Sequence, residues 1–285
     1  MTSSLAADHG DGSLTAALER ACGVLQFAPA GNNGSVVYGH GGRSLGCTVI
    51  DADGRLRWLR LVFASRRGGK LWDGPYSADQ ALPDTLPRPH LVDSYEWSEG
   101  QRWYQATVWT YLAQPVISPS PDLACPVDLD DAWWSQLVDA MTVLAEVEVP
   151  RKRLVLTQDY IHRIGAFIPD VVRLGFDTTV RRWCSAHGDL HWANLTRTPL
   201  AILDWEGWGL APAGFDAALL YAYTLAVPET AARVRTAFAS VLDTPDGLLA
   251  ELVAAATIVQ AGQRDPVHAR LAPLVLDHAR VLLRR

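Results

Sequence analysis

Three side chains that can offer oxygen donors, Asp189, Asn194 and Asp204, fall within sixteen positions of one another. They sit in two short runs, Ala186-His187-Gly188-Asp189-Leu190-His191-Trp192-Ala193-Asn194-Leu195 and Leu200-Ala201-Ile202-Leu203-Asp204-Trp205-Glu206. Asp189 and Asn194 are five residues apart across a stretch that reads as loop. Asp204 directly follows an apolar run with the length and composition of a short buried strand, which would deliver it at the strand's end. Two carboxylates and an amide oxygen suit Mg²⁺, a hard cation that takes oxygen ligands and keeps part of its water shell. Phosphoryl transfer is the chemistry that needs such a set. Negative phosphates repel an incoming nucleophile unless their charge is offset, and a carboxylate must orient the attacking hydroxyl and take its proton. Asp189 is the candidate proton acceptor, and Asn194 and Asp204 are the candidate metal ligands.

The run His187-Gly188-Asp189-Leu190-His191, the asparagine five positions past the aspartate, and Asp204-Trp205-Glu206 together resemble the signature of the aminoglycoside phosphotransferase and choline kinase-like family. The resemblance implies an α+β, bilobal protein-kinase-like fold, with a small antiparallel-sheet N-terminal lobe and a mainly helical C-terminal lobe. It makes Asp189 similar to the catalytic-loop aspartate, Asn194 to the metal-binding asparagine, and Asp204 to the aspartate that holds Mg²⁺ between the phosphates. It also gives His187 the role of bracing the catalytic loop from beneath. Asp216, in Phe215-Asp216-Ala217-Ala218, reads on its own as a helix cap; the resemblance adds a buried acid that ties its helix to the catalytic loop.

The nucleotide half is drawn from the first part of the chain. Gly31-Asn32-Asn33-Gly34-Ser35 could close over phosphates, its glycines permitting close backbone approach and its amides offering donors. Arg60, in Trp58-Leu59-Arg60-Leu61-Val62, matches the basic residue that the family places on its third strand against the α- and β-phosphates; Arg57 is the rival in the same segment. The family's partner Glu on the next helix has no counterpart in the helix-poor Lys70–Gln80 segment, which carries Gly74-Pro75. Asp79 could substitute for it, and Lys70 could reach the phosphates from a loop. Near the metal set, Glu206 could meet a substrate amine or stay on the loop surface. Trp192 could line an acceptor pocket or pack between loops, and Trp205 could wall the pocket or join the core.

These residues need elements to position them. A helix is expected over Ser13–Leu25 with Ser13 as its cap, then a hairpin of Ser44–Ile50 and Arg55–Phe63 joined by Asp51-Ala52-Asp53-Gly54, then a strand pair at His90–Trp97 and Arg102–Leu112. Pro115, Pro119, Pro121 and Pro126 exclude a helix over residues 114–128 and mark a passage between lobes. This divides the chain into an N-terminal nucleotide-binding lobe, 1–113, and a C-terminal lobe, 114–285, with the catalytic loop, metal site and acceptor pocket. Beyond the passage the apolar period changes to about 3.6. Asp130 caps a helix through Ala145, and helices follow at Gln158–Phe167, Asp216–Leu225, Thr230–Leu242, Gly247–Val259 and His268–Leu283.

Composition narrows the partners. Lysine and arginine number 25 against 31 acids, and the excess is uneven: 11 acids and 10 bases in residues 1–119, against 20 and 15 in residues 120–285. Such a balance gives no support to nucleic-acid binding and is compatible with a cationic small-molecule acceptor. Cys22, Cys47, Cys125 and Cys184 match no compact zinc pattern and read as separate thiols in a reducing, cytoplasmic setting. Met1–Gly12 has no signal-peptide pattern, and no apolar run approaches a membrane span. The sequence therefore points to an ATP- or GTP-dependent, Mg²⁺-dependent phosphotransferase acting on a small-molecule hydroxyl, with a basic antibiotic such as an aminoglycoside as the best specific acceptor.

Overall fold

The structure is a computed structural model that describes residues 11–30, 36–39, 42 and 44–284. Its residues fall into two compact units, Met1–Asp79 with Pro89–Ala113 and Gln80–Arg88 with Gln114–Arg285.

The first unit begins with α1 (Asp11–Leu25), followed by β1 (Ala28–Pro29), β2 (Val37–Tyr38), β3 (Ser44–Ile50), β4 (Leu56–Ala64), α2 (Lys70–Ala81), β5 (Leu91–Glu99) and β6 (Arg102–Thr110). Among the described residues six antiparallel strands form one sheet in the order β1-β3-β4-β6-β5, with β2 also pairing with β3. The β3–β4 hairpin turns where the sequence marks it. The Asp51 carboxylate accepts from the Asp53 and Arg55 amides at 3.0 and 2.8 Å, and Gly54 takes the left-handed φ of +80°. One face of the sheet buries Leu45, Cys47, Val49, Leu59, Leu61 and Val108 under Leu14, Ala17, Ala21 and Cys22 of α1. Burial pushes the Cys47 thiol up to about 11 and the Cys22 thiol in the same direction, so both are inert core groups. The four cysteines are free. The helix expected from Ser13 begins at Asp11, so Ser13 lies inside α1 and is not its cap.

The segment from Lys70 is a helix, not the helix-poor loop that Gly74-Pro75 suggests. Proline at position 75 cannot donate to the Leu71 carbonyl one turn back. That carbonyl instead accepts from the Arg60 guanidinium on β4 at 3.3 Å, which repairs the ladder. Trp72 on the buried side of α2 donates its indole N–H to Glu96 of β5 at 2.9 Å, and Gln105 of β6 donates to the same carboxylate at 2.8 Å.

The second unit is mainly helical: α3 (Asp131–Ala145), α4 (Gln158–His162), α5 (Pro169–Arg173), α6 (Phe215–Thr224), α7 (Pro228–Ala237), α8 (Ala239–Leu242), α9 (Pro245–Ala261) and α10 (Pro266–Leu282), with a small hairpin of β7 (Trp183–Ala186) and β8 (Gly209–Pro212) between α5 and α6. Side chains cap α3, α9 and α10: Asp130 accepts from Trp133, Thr244 from Gly247, and Asp265 from Val267 and His268. The central helix α9 buries Leu249, Ala250, Leu252–Ala256 and Ile258, and packs against α6 and α10. Two stretches expected as single helices are broken. Gln158–Phe167 ends its α-helix at His162 and continues as a 3₁₀ turn, where a Cβ on Gly165 would meet the exposed Val172 side chain of α5. Thr230–Leu242 divides into α7 and α8 at Phe238, which is buried at 2% exposure. Gln80–Arg88 belongs to this unit because its Leu82 and Leu86 are buried and the Pro87 carbonyl accepts from the Ile202 amide at 2.7 Å. Among the described residues no helix is long and apolar enough to cross a membrane.

Candidate active site

The site-bearing runs lie in the second unit, on either side of one short turn. β7 leads into the loop that carries Asp189, and β8 follows the loop that carries Asp204. The apolar run Leu200–Leu203 is extended but is not a regular strand. Its amides go to three different acceptors: Ala201 to the Thr196 hydroxyl (2.7 Å), Ile202 to the Pro87 carbonyl (2.7 Å) and Leu203 to the Asn194 carbonyl (2.8 Å). Only an isolated bridge, Leu195 to Ile202, has sheet character here. The run still delivers Asp204 beside the catalytic loop, since its last amide is bonded to the backbone of Asn194.

Asp189 and Asn194 are joined directly. The Asn194 amide nitrogen donates to the Asp189 carbonyl at 3.0 Å and lies 3.3 Å from His191 Nε2. The carbonyl can only accept, so the first contact fixes which end of the amide is nitrogen and leaves Oδ1 as the acceptor end. Gly188 precedes Asp189 at φ +84°, and a Cβ there would come within 2.9 Å of the Gly207 carbonyl. Glycine is therefore required by both conformation and space, because the Asp189 and Asp204 loops are packed backbone to backbone.

His187 holds the two loops together. It is fully buried, and its Nδ1 accepts from the Asp189 amide at 3.2 Å, so its proton is on Nε2, which donates to the Leu203 carbonyl at 2.8 Å. Its ring stands edge-on to Trp205 with centroids 4.7 Å apart. Both nitrogens are used, and the ring acts as a strut. Asp216, in the first turn of α6, accepts from the His187 and Gly188 amides at 2.7 and 2.9 Å. Burial pushes its carboxyl up, against the pull of His187 and these two N–H bonds. Replacing Asp216 with alanine would strand one buried and one partly buried donor, each costing about 1–3 kcal/mol, so chemical denaturation should report a loss of about 2–6 kcal/mol. An unchanged unfolding midpoint would show that the tie contributes nothing.

The Asp189 carboxylate is half exposed, at 50% of its side-chain surface. Burial of its surroundings works against the charge. The imidazole of His191, 3.6 Å from Oδ2, followed by those of His187 and His268, outweighs this and holds the carboxyl below the usual range. Asp204 is exposed and sits at φ +60°, ψ +61°, a left-handed conformation that an aspartate tolerates at some cost. Its carboxylate makes no hydrogen bond or ion pair with any described residue, so neither its conformation nor its charge serves local stability.

This donor set fits Mg²⁺. One free-standing carboxylate and one amide oxygen beside a second carboxylate match a cation that binds few protein oxygens and keeps water and phosphate ligands. Among the described residues no group of three or more His, Cys, Asp and Glu side chains forms an all-protein metal cage.

The other expected residues are placed as follows. Trp192 is fully buried, its indole N–H donating to Thr224 at 2.9 Å and its ring edge-on to Trp134 at 6.2 Å, so it is a core residue and does not line an acceptor pocket. Trp205 is likewise in the core at 6% exposure, bonded to the Ile202 carbonyl. Glu206 is half-buried on the 3₁₀ turn after Asp204. In the first unit Arg60 is half-buried and directed to α2, whereas Arg57 is held by the Asp51 carboxylate through two contacts of 3.1 and 2.9 Å. That pairing assigns Arg57 to the hairpin and leaves Arg60 as the strand's candidate cation. Asp79 accepts from the Leu91 amide at 3.3 Å. Gly31, Asn32, Asn33, Gly34 and Ser35 lie outside the described residues. Tyr223 and His268 come to the edge of the catalytic loop from α6 and α10, although nothing in their local sequence marks them.

A small antiparallel sheet unit followed in the chain by a helical unit that carries such a loop pair is the protein-kinase-like fold. The chain is similar to a thermostable mutant of aminoglycoside phosphotransferase APH(4)-Ia in a ternary complex with AMP-PNP and hygromycin B, at 15% identity over 88% of this chain and 93% of that one, with a TM-score of 0.58. It is also similar to amicoumacin kinase hAmiN in complex with AMP-PNP, Ca²⁺ and Ami (11% identity, 95% and 96% coverage, TM-score 0.55), and to a Thermobifida fusca protein named as a fructosamine-3-kinase (15% identity, 97% and 100% coverage, TM-score 0.54). No family model and no curated protein matches the chain. At these identities the likeness establishes the fold.

Proposed function

We propose that the protein is a small-molecule O-phosphotransferase that uses a Mg²⁺-bound nucleoside triphosphate. The observation that carries this reading is the loop pair itself. A half-exposed aspartate held in its charged form, an oriented asparagine amide and a strained, unpartnered aspartate are gathered by a buried histidine and a buried acid that do no chemistry of their own. The three structurally similar proteins named above are small-molecule kinases or phosphotransferases by name, which supports the same class.

Asp189 accepts the proton of the acceptor hydroxyl as the oxygen attacks the γ-phosphorus; the bond from that phosphorus to the bridging oxygen breaks, and the nucleoside diphosphate leaves. Asn194 and Asp204 would hold Mg²⁺, which supplies charge neutralisation on the phosphates. His187 and Asp216 keep the loop in register, and Arg60 with the Gly31–Ser35 segment is the proposed phosphate-binding set of the sheet unit. ATP is the donor favoured by the AMP-PNP complexes of the similar proteins, with GTP as the competitor in the same assay.

For the acceptor, an aminoglycoside-like or other basic antibiotic is the leading reading, supported by the acid excess after residue 120 and by the hygromycin B and Ami held in two similar structures. On this reading the protein acts in the cytoplasm and confers resistance by phosphorylation. The test is product detection by mass spectrometry across aminoglycosides, other basic antibiotics, choline, sugars and amino alcohols, with ATP or GTP. One acceptor gaining the mass of a phosphoryl group, only with divalent cation, is the expected result. Transfer confined to choline or a sugar would replace the antibiotic reading, and no transfer to any acceptor would reject the activity.

A further inference from the structure

Beside the catalytic loop stands a chain of polar side chains that the phosphoryl chemistry does not use. Tyr223, near the end of α6, is 4% exposed, and its ring is edge-on to two imidazoles: His191 at 5.6 Å and 79°, and His268 at 5.7 Å and 70°. Its hydroxyl is 2.9 Å from His268 Nε2, and His268 Nδ1 is 2.7 Å from Asp265 Oδ1. Asp265 is also the N-cap of α10, where the same oxygen accepts from the Val267 and His268 amides. An ionised carboxylate only accepts, so the His268 proton is on Nδ1, and Nε2 is left to accept from the Tyr223 hydroxyl. Burial, followed by the charges of Asp189, Asp265 and Asp122, pushes the phenol up, so it remains a donor. Every member of this line is satisfied.

His191, at its end, is not. Nε2 faces Asn194 Nδ2 at 3.3 Å and Asp189 Oδ2 at 3.6 Å, while Nδ1 is buried with no hydrogen-bond partner among the described residues. A ring with one bare nitrogen has no hydrogen bond there to set its angle. The ring packs in a T-shaped pair with Tyr223, whose own position is fixed through its hydroxyl by α10.

We infer that Asp265, His268 and Tyr223 form a brace running from the N-terminus of α10 through α6 to His191, and that this brace positions the Asp189 carboxylate and the Asn194 amide. The inference rests on the phosphotransfer reading of the loop. The three are positioning residues acting through His191, and the nearest of them in the chain, Tyr223, lies 32 positions beyond it.

The test uses the full chain and four variants. Tyr223→Phe removes the hydroxyl and keeps the ring, and Tyr223→Leu removes both. His268→Leu cuts the line, while His268→Gln keeps an acceptor for the tyrosine and a donor for Asp265. Long-range ¹H–¹⁵N NMR of the imidazoles reads the His191 ring directly, its signals assigned by their loss in His191→Gln. Tyr223→Leu and His268→Leu should shift and broaden those signals and lower kcat by about 10–100-fold, the usual effect of losing a partner that orients a site ligand. The larger effect should fall on kcat, with the KM values for nucleotide and acceptor changing by less, because the brace acts through the orientation of His191, Asp189 and Asn194. Tyr223→Phe should fall between these and wild type, and His268→Gln should recover most of the kcat lost in His268→Leu. A merely structural contact predicts a lower Tm with His191 signals and kcat per folded molecule unchanged, and that result overturns the brace. A wild type inactive toward every acceptor rejects the phosphotransfer reading instead. The His191 spectra, which need no turnover, still decide the coupling in that case: signals that move support it and signals that stay put overturn it.

Discussion

Replacing Asp189 with alanine should lower phosphoryl transfer by about 10²–10⁴-fold while nucleotide binding remains measurable. The reason lies in which atoms of residue 189 hold the loop. Its amide donates to His187, and its carbonyl accepts from Asn194, so both structural bonds are made by backbone. The side chain, half exposed, has among the described residues only the 3.6 Å approach of His191. Truncating it removes the proton acceptor and leaves the loop's hydrogen bonds in place. Asp189→Asn, which keeps the shape and loses the basicity, should fall nearly as far. Single-turnover rates with the best acceptor, read beside a nucleotide titration, would measure both effects. Turnover within a few fold of wild type in the purified variant would reject Asp189 as the base.

Asp204 carries the second large effect, and asparagine is the informative replacement. Asparagine tolerates the left-handed conformation as aspartate does, so the turn survives, while the charge that would hold the cation is lost. A metal's share of charge stabilisation is several kcal/mol, which sets the expected loss of turnover on the order of a thousandfold. Nucleotide affinity in the presence of Mg²⁺ should fall with it, whereas affinity in chelator should match wild type. Stability should change by no more than about 0.5 kcal/mol, since the side chain is exposed and makes no hydrogen bond or ion pair with a described residue. Asp204→Ala would lose the same charge and add backbone strain of about 1–3 kcal/mol. Equal Mg²⁺ dependence in wild type and Asp204→Asn would remove this residue from the metal set.

The two expectations differ in what they leave intact. Loss of Asp189 should affect the chemical step with the bound nucleotide in place, while loss of Asp204 should affect binding and turnover together. Measured on one preparation, the pair separates the proposed base from the proposed metal ligand, which a single inactive variant cannot do.

Much of this was legible in the residues alone, for reasons of short range. Period-two alternation placed β3 and β4 within a residue, because a half-buried strand must alternate whatever lies beyond it. Asp130, followed by an apolar stripe, announced the cap of α3. The spacing of Asp189, Asn194 and Asp204 is itself a local property. Residues five apart across a tight loop, joined by a bridge and a short turn, have few ways to avoid one another, and the hydrogen bonds from Asn194 to Asp189 and from Leu203 to Asn194 realise the nearest one.

What the chain could not announce depends on partners far along it. Pro75 argues against a helix until Arg60, on another element, supplies the hydrogen that the Leu71 carbonyl lacks. Trp192 and Trp205 offer an aromatic wall in one dimension and are core in three, because Thr224 and the Ile202 carbonyl take their indole protons inside the packed unit. Strand alternation puts Arg57 and Arg60 on opposite faces of β4, but the sequence does not say what each face meets; the structure gives Arg57 to Asp51 and directs Arg60 to α2. The line from Asp265 through His268 and Tyr223 to His191 has no signature at all, since it exists only where α6 and α10 pack beside the catalytic loop. The sequence determined which side chains the candidate site offers and the order of its elements, because those follow from side-chain type and local periodicity. Tertiary structure decided which side chains are buried, which carboxylate remains free and what holds the loop in place, because burial and hydrogen-bond satisfaction depend on residues that meet only after folding.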